Sequence, residues 1–106
     1  MSQLDPSAEP TLADLVAAAV RAVPGVVDLH SGLFGEIGTY LPGRRVPGVR
    51  LGVNGTEVHV VLGWGTPIPQ AAQAIRSAVS AVVPGQVVVT VEDVASPAVT
   101  AERTAL

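Results

Sequence analysis

The chain has 106 residues, which is enough for one domain with its own hydrophobic core. Aromatic residues make up only 3% of it, cysteine is absent, and the net charge is −3 with six arginines and no lysine. The lack of cysteine excludes disulfides and thiolate metal sites. The acidic, aromatic-poor composition argues against a nucleic-acid partner, which needs a basic face and stacking rings.

The sequence also argues against a direct membrane span. Its longest uninterrupted apolar runs, such as residues 15–20, are much shorter than the roughly 20 residues that a membrane-spanning helix needs. The N-terminus is polar and acidic, unlike the basic start of a signal peptide. We therefore expect a cytoplasmic protein.

The first part of the chain predicts a disordered lead-in followed by a helix. Residues 1–10 contain two prolines and two acids, which predicts disorder. Thr11 with Asp14 three positions later predicts a capping box, and Pro24-Gly25 predicts the end of the helix. The apolar periodicity predicts a buried helix face made of Leu12, Leu15, Val16, Ala19 and Val23.

A short strand and a glycine-rich stretch come next. The strand is predicted from Val26 to His30. The stretch after it, residues 31–45, has three glycines spaced by three and then Pro42-Gly43. It predicts a loop, or a bent, glycine-kinked strand around residues 36–41.

Alternating apolar residues on both sides of Asn54-Gly55 predict a β-hairpin. Asn-Gly is typical of a type I′ turn, in which both central residues have positive φ. Such a turn places Arg50 opposite His59, with Glu57 as a diagonal neighbour on the same face. We expect these three polar residues to satisfy one another on a solvated surface.

The last part of the chain predicts a second helix and a final strand. Thr66 is the expected N-cap, with Pro67 at the first helical position, and Pro84-Gly85 ends the helix. The strand from Val87 to Glu92 is apolar on both alternations, which predicts a central place in the sheet. The predicted buried stripe of the helix consists of Ile68, Ala71, Ala72, Ile75, Val79 and Val82.

Together these elements predict an α+β fold. We expect a two-layer sandwich of order α-β-(β)-β-β-α-β, with a small mixed sheet and both helices on one of its faces. A single domain is expected to span residues 11–94, and residues 95–106 are expected to form a flexible C-terminal tail.

No group of residues has the spacing of a catalytic centre, so we predict neither an enzyme nor a cofactor. The two histidines, His30 and His59, would suit a cation site with nearby carboxylates only if two strand faces coincided, and no metal site is predicted. Three side chains are predicted to contact a partner. Arg44 and Arg45 could meet an acidic group, and Trp64 could anchor a contact at the strand-to-helix corner.

Several segments of the chain together resemble one known family. They are an opening helix ending in VPGV, a glycine-rich connection, GVRLGVNGTEVHVVLGWG with its aromatic-Gly corner, an Ile-led amphipathic helix, and a closing VVVTVEDV. Over residues 11–94 this pattern resembles the alkaline shock protein family of envelope stress response proteins (the Asp-twenty-three/Gls-twenty-four type). The chain differs from typical members because it lacks Lys-rich segments and a long tail.

The resemblance implies a non-enzymatic cytoplasmic protein of cell-envelope stress response and homeostasis. It implies self-association and a place at the membrane through an integral membrane partner. Two alternatives remain. One is a small-molecule-binding regulatory module of ferredoxin-like type, with residues 31–45 as a lid. The other is a domain similar to iron–sulfur or metal assembly factors, although that chemistry depends on thiolates that this chain lacks.

Overall fold

The computed structural model describes residues 10–96, and the predicted α+β sandwich is confirmed in them. The predicted lead-in, up to residue 9, and the tail from residue 97 lie outside the described residues. Ala95, predicted to begin the tail, is the last residue of a strand. The elements are α1 (Leu12–Arg21), β1 (Val26–Leu29), β2 (Gly38–Leu41), β3 (Arg44–Pro47), β4 (Val49–Leu51), β5 (Gly55–Gly63), α2 (Ile68–Ser80) and β6 (Gln86–Ala95).

The main sheet is built around β5. Along one side of β5, β1 and β4 lie end to end and antiparallel, and along the other side β6 runs parallel to it. Within residues 10–96, β6 is therefore an edge strand, and its predicted central position was wrong. Its apolar residues do not all need cover, because Val87, Val89 and Val91 pack against the core while Val88 remains 47% exposed.

Both helices pack on one face of this sheet, as predicted. Helix α1 contacts β1 and β4, α2 contacts β6, and the helices contact each other. Fully buried valine, leucine and isoleucine side chains fill the space between the layers: Val16, Val20, Val49, Val58, Val60, Leu62, Ile75 and Val79. Neither of the helices described here is both long and apolar enough to cross a membrane.

Helix α1 begins at the predicted capping box. The Oγ1 of Thr11 accepts a hydrogen bond from the Asp14 N–H at 3.3 Å, and Oδ2 of Asp14 accepts one from the Thr11 N–H at 2.7 Å. The predicted buried face is confirmed for Val16 and Val23 and wrong for Leu12 and Leu15, which are about half exposed. The small side chains of α1 lie against the sheet, where they allow close approach, and the buried set is Ala13, Val16, Ala17 and Val20.

Helix α2 begins without the predicted threonine cap. Pro67 occupies the N-cap position, so Thr66 lies outside the helix and no side chain caps it. Pro69 in the first turn has no N–H, which leaves one donor fewer to satisfy at this end. The predicted stripe holds for Ala71, Ile75 and Val79, whereas Ile68 is 46% exposed.

The β4–β5 hairpin exists, but the predicted turn and register were wrong. Gly52 and Gly55 exchange backbone hydrogen bonds of 2.8 and 3.4 Å, so Val53-Asn54 is the loop. Neither Asn54 nor Gly55 has a positive φ. A Cβ at Gly55 would collide with the carbonyl oxygen of Gln86, so this glycine allows the close approach of β6. Arg50 consequently lies opposite Glu57 instead of His59.

Residues 31–47, here called the insert, leave the sheet between the end of β1 and the start of β4. The predicted strand around residues 36–41 is present as β2, but Arg44 and Arg45 lie in the paired strand β3 and not in a loop. The insert is fastened to the sheet by the Gly48 N–H on the Ile37 carbonyl at 2.9 Å and by the buried side chain of Ile37.

Candidate functional site

The side chain of Arg44 is held by an acid of helix α1. Its Nη1 and Nη2 donate to the two carboxylate oxygens of Asp14 at 2.8 and 2.7 Å, a bidentate pair at the N-terminus of the helix. The Arg44 guanidinium holds the pKa of the Asp14 carboxyl well below its usual range, and the Thr11 N–H lowers that pKa further. This predicted contact residue fastens the insert to α1.

Arg45 lies on the opposite face of β3 and binds the loop that precedes β2. Its Nη2 donates to the carbonyl oxygens of Gly35 and Ile37, and its guanidinium carbon lies 5.3 Å from the centre of the Tyr40 ring. Its Nε is buried and has no hydrogen-bond partner among the described residues. Arg45 thus shapes the first half of the insert from within.

Trp64 is 70% exposed at the end of β5 where β1 begins, whereas the insert leaves the sheet where β1 ends. The corner is held by the Gly63 N–H on the Gly25 carbonyl at 2.8 Å and by the Thr66 N–H on the Gly63 carbonyl at 3.1 Å. The structure therefore brings Arg44 and Arg45 into one hairpin but leaves Trp64 at a separate place.

The most exposed large apolar side chains of the insert are Leu33 and Phe34, at 86% and 89%. They are the two central residues of a turn closed by the Gly35 N–H on the Gly32 carbonyl at 3.1 Å. Both glycines have positive φ, a backbone conformation that favours glycine over other residues. Sequence reasoning singled out this loop but missed these two residues. The signal was an apolar pair between two glycines.

A charged network crosses the face of the main sheet that lies away from the helices. His59 on β5 contacts Glu57 through Nε2 at 2.8 Å and Glu92 of β6 through Nδ1 at 2.5 Å. Arg50 of β4 donates to Glu57 at 3.3 Å and to the carbonyl of Glu36 at 3.2 Å. The predicted mutual satisfaction of Arg50, Glu57 and His59 is confirmed.

The predicted solvation of this face is wrong for His59, which is only 7% exposed. The reason is a contact that the hairpin alone does not contain. An irregularity in the pairing of β5 with β6 leaves Glu92 without a partner in the β5 register, and its carboxylate covers the imidazole.

The network favours a positively charged imidazole between two carboxylates. Burial by itself lowers the pKa of His59, but the hydrogen bonds to Glu57 and Glu92 outweigh it, so that this pKa is raised above its ordinary value of 6.5. The hydrogen bond from His59 in turn lowers the pKa of Glu57. Since both ring nitrogens already have partners, the imidazole offers no lone pair to a metal or a substrate.

The cation site considered from the sequence does not assemble in the described residues. No group of three or more His, Asp or Glu side chains in residues 10–96 is arranged to hold a metal ion. The Nδ1 of His30 accepts a hydrogen bond from the Gly32 N–H at 2.9 Å, and Asp28 is paired with Arg21 at 3.5 Å.

An open groove of about 340 Å³ lies at the hairpin end of the polar face. It is bordered by the turn at Gly52 to Gly55, by Arg50 and Glu57, and by Gln86 and Val88 of β6. Its volume lies at the lower end of the range for small-molecule sites. Its one cationic side chain, Arg50, is already paired with Glu57, so the groove offers hydrogen bonds and little net charge.

Arg44 and Arg45 thus hold the insert in place, and Trp64 is exposed at a separate corner. The charged side chains of the polar face form one hydrogen-bonded network. Comparison of the chain with family models, with curated proteins and with solved structures finds no match.

Proposed function

We propose that this chain is a non-enzymatic cytoplasmic domain that docks a protein partner through the turn at Leu33 and Phe34. The observation that carries the proposal is the exposure of these two adjacent side chains, at 86% and 89%. Each would gain about 1.5–3 kcal/mol when a partner covers it fully. Large apolar residues placed together on a surface are typical of anchor positions in interfaces.

The turn is held in place before any partner arrives. Arg45 binds the carbonyls of Gly35 and Ile37, and Oε1 of Glu36 accepts a hydrogen bond from the Phe34 N–H at 3.1 Å. Arg50 also binds the Glu36 carbonyl. A loop whose backbone is already fixed loses less entropy when a partner binds, which favours affinity.

The charges around the turn favour a protein partner over direct contact with an anionic lipid surface. Arg44 is paired with Asp14, and Arg50 is paired with Glu57. Binding to anionic membranes needs several uncompensated cations, because each contributes only about 1 kcal/mol. An apolar side-chain pair with balanced charges nearby suits a hydrophobic pocket on another protein.

The resemblance of residues 11–94 to the alkaline shock protein family supplies the biological setting of the proposal. It supports a role in cell-envelope stress response and homeostasis, with self-association and an integral membrane protein as partner. The domain would then reach the membrane through that partner.

The test is capture from detergent-solubilised membranes with a photo-crosslinking phenylalanine analogue at position 34. We expect a crosslink to one integral membrane protein, identified by mass spectrometry. The matched control carries the analogue at position 53, because Val53 is fully exposed in a different loop of the same chain. A crosslink from both positions, or from neither, contradicts the proposal.

A double variant, Leu33→Ser with Phe34→Ser, measures the contribution of the turn. We expect it to bind the captured protein about thirtyfold more weakly, which corresponds to the loss of a hot spot of about 2 kcal/mol. The Val53→Ser variant should bind like the wild type. An unchanged melting temperature in both variants shows that the fold is intact.

The groove beside Arg50 and Gln86 supports a second candidate, the small-molecule regulatory module. Because Arg50 also binds the insert through the Glu36 carbonyl, a ligand in the groove would act on the insert directly. Saturable thermal stabilisation by a small molecule, lost in Gln86→Ala, would favour this function. A metabolite screen in which no compound raises the melting temperature would reject this second candidate and leave docking as the only proposed function.

A further inference from the structure

Within the described residues, strand β6 has one edge that no other strand covers. Nine of its ten residues pair with β5 on one side, and no other strand of residues 10–96 pairs with it. Each strand edge without a neighbour presents a row of N–H and C=O groups to any chain that can pair with it. The edge is therefore a template for strand addition.

The opposite edge of the main sheet is built differently. It consists of β1 and β4, which have four and three residues, and the insert leaves the sheet between them. Such short, interrupted strands are one of the devices that prevent edge pairing. From Gln86 to Val91, β6 has no charged residue, no proline and four valines, and thus lacks these devices.

We propose that two copies of the chain join their β6 strands, antiparallel, into one continuous eight-stranded sheet. The pairing segment is residues 86–91, because the irregularity at Glu92 disturbs the strand beyond it. A two-fold axis perpendicular to the sheet, at Val88 or Val89, keeps the helices of both copies on one face. This inference rests on the self-association included in the proposed function and names its surface.

The charges of β6 select the antiparallel orientation. Its two acids, Glu92 and Asp93, lie at one end of the strand. With the axis at Val88 or Val89, Glu92 lies opposite Pro84 or Gln86 of the second copy, so no acid faces an acid. A parallel, in-register pair would bring the acids of both copies together, which is unfavourable.

A second copy fits the edge better than the chain's own C-terminal segment. Residues 97–106, PAVTAERTAL, begin with proline, contain one acid and one arginine, and have only three β-branched residues out of ten. The segment from Gln86 to Val91 has five β-branched residues out of six. Of the two segments, β6 itself is therefore the better strand former.

The test introduces a positive or a negative charge at Val88, which is about half exposed and lies on the face away from the helices. We expect the wild type to be a concentration-dependent dimer in light scattering. Val88→Lys and Val88→Glu should each raise the dimer dissociation constant by about fivefold or more, because like charges then face each other near the axis. An equimolar mixture of the two variants should dimerise again as a heterodimer.

The matched control is Val53→Lys, which adds the same charge to a fully exposed loop residue on the β5 side of β6, outside the proposed pairing edge, and should leave the dimer unchanged. A wild type that stays monomeric at high concentration overturns the inference, as does a dimer indifferent to charge at Val88. Dimerisation only after truncation at Ser96 would overturn it too, because the chain's own tail would then occupy the edge. The Leu33→Ser, Phe34→Ser variant should still dimerise, which separates this test from that of partner docking.

Discussion

The two faces of the central strand β5 show that one strand can serve two kinds of stability. On the face toward the helices, Val58, Val60 and Leu62 are fully buried. On the other face, Glu57 and His59 are joined to their neighbours by hydrogen bonds and ion pairs. Apolar burial is nearly independent of pH, whereas the polar face carries groups whose pKa values change on folding. The two faces should therefore lose their contributions to the free energy of unfolding under different conditions.

The polar face also shows how a histidine becomes buried on the side of the sheet away from the helices. Glu57 and Glu92 satisfy both of its ring nitrogens, and Glu57 remains 35% exposed. A charge that keeps a partly hydrated partner loses less solvation than one in a dry interior. The network can therefore be stable at the surface of the sheet without a hydrophobic layer above it.

The largest effect is expected from the apolar face. Leu62→Ala should lower the free energy of unfolding by about 2–5 kcal/mol, because Leu62 is fully buried and its loss leaves a cavity between the sheet and the helices. Urea denaturation followed by circular dichroism measures the change. The matched control is Val61→Ala, one residue away on the polar face, with an expected cost of about 1 kcal/mol. Equal costs at the two positions would contradict the difference between the faces.

Local sequence signals predicted the parts of this fold that local contacts determine. The Thr11–Asp14 capping box is an example, since both partners lie within one helical turn. The hairpin turn was misplaced by strong Asn-Gly chemistry, because Gly55 is needed for the approach of β6 and its role depends on a strand about thirty residues away. The register shift equals two residues, so every side chain stayed on its predicted face.

Contacts between distant segments explain what the sequence could not show. Glu92 reaches His59 only because β6 runs parallel to β5, and no pattern within the hairpin predicts this pairing. The edge position of β6 was hidden for the same reason, since valines on both alternations suit a buried strand and an exposed edge equally. Leu33 and Phe34 lie in a loop without periodicity, so only their position between two glycines, and no periodic pattern, pointed to their exposure.

At the centre of the polar face, the charge of His59 should contribute to stability. His59→Gln should lower the free energy of unfolding at pH 5.5 by about 1–3 kcal/mol, because Glu57 and Glu92 then face an uncharged amide inside a nearly buried site. The comparison needs denaturation curves of both proteins from pH 4.5 to 9. Glutamine keeps a hydrogen-bonding group of similar length, so the difference reports mainly on the charge.

The size of this difference should depend on pH in a defined direction. The folded protein raises the pKa of His59 above 6.5, so its contribution is complete below that pH and is lost as the pH rises through the folded value. The pKa of Glu57 is lowered below 4.5, so its contribution is present above that pH and is lost only in acid. The difference between wild type and variant should be largest between about pH 4.5 and 6.5 and shrink toward pH 9. If the difference in unfolding free energy instead increased toward pH 9, the charged state of His59 in the network would be contradicted.

The smallest effect is expected at the rim of the same face. Arg50→Ala should cost no more than about 1 kcal/mol, because Arg50 is 47% exposed on its side chain and its pair with Glu57 is open to water. The cost should fall further in about 1 M salt, because the Debye length is then roughly 3 Å and exposed charges are strongly screened. The cost of His59→Gln should change less. Arg76→Ala is the control, since Arg76 contacts only Gln73 on its own helix among the hydrogen bonds described, and its removal should be nearly neutral. If Arg50→Ala were as costly as His59→Gln, and insensitive to salt, the polar face would depend on its rim and not on the imidazole at its centre.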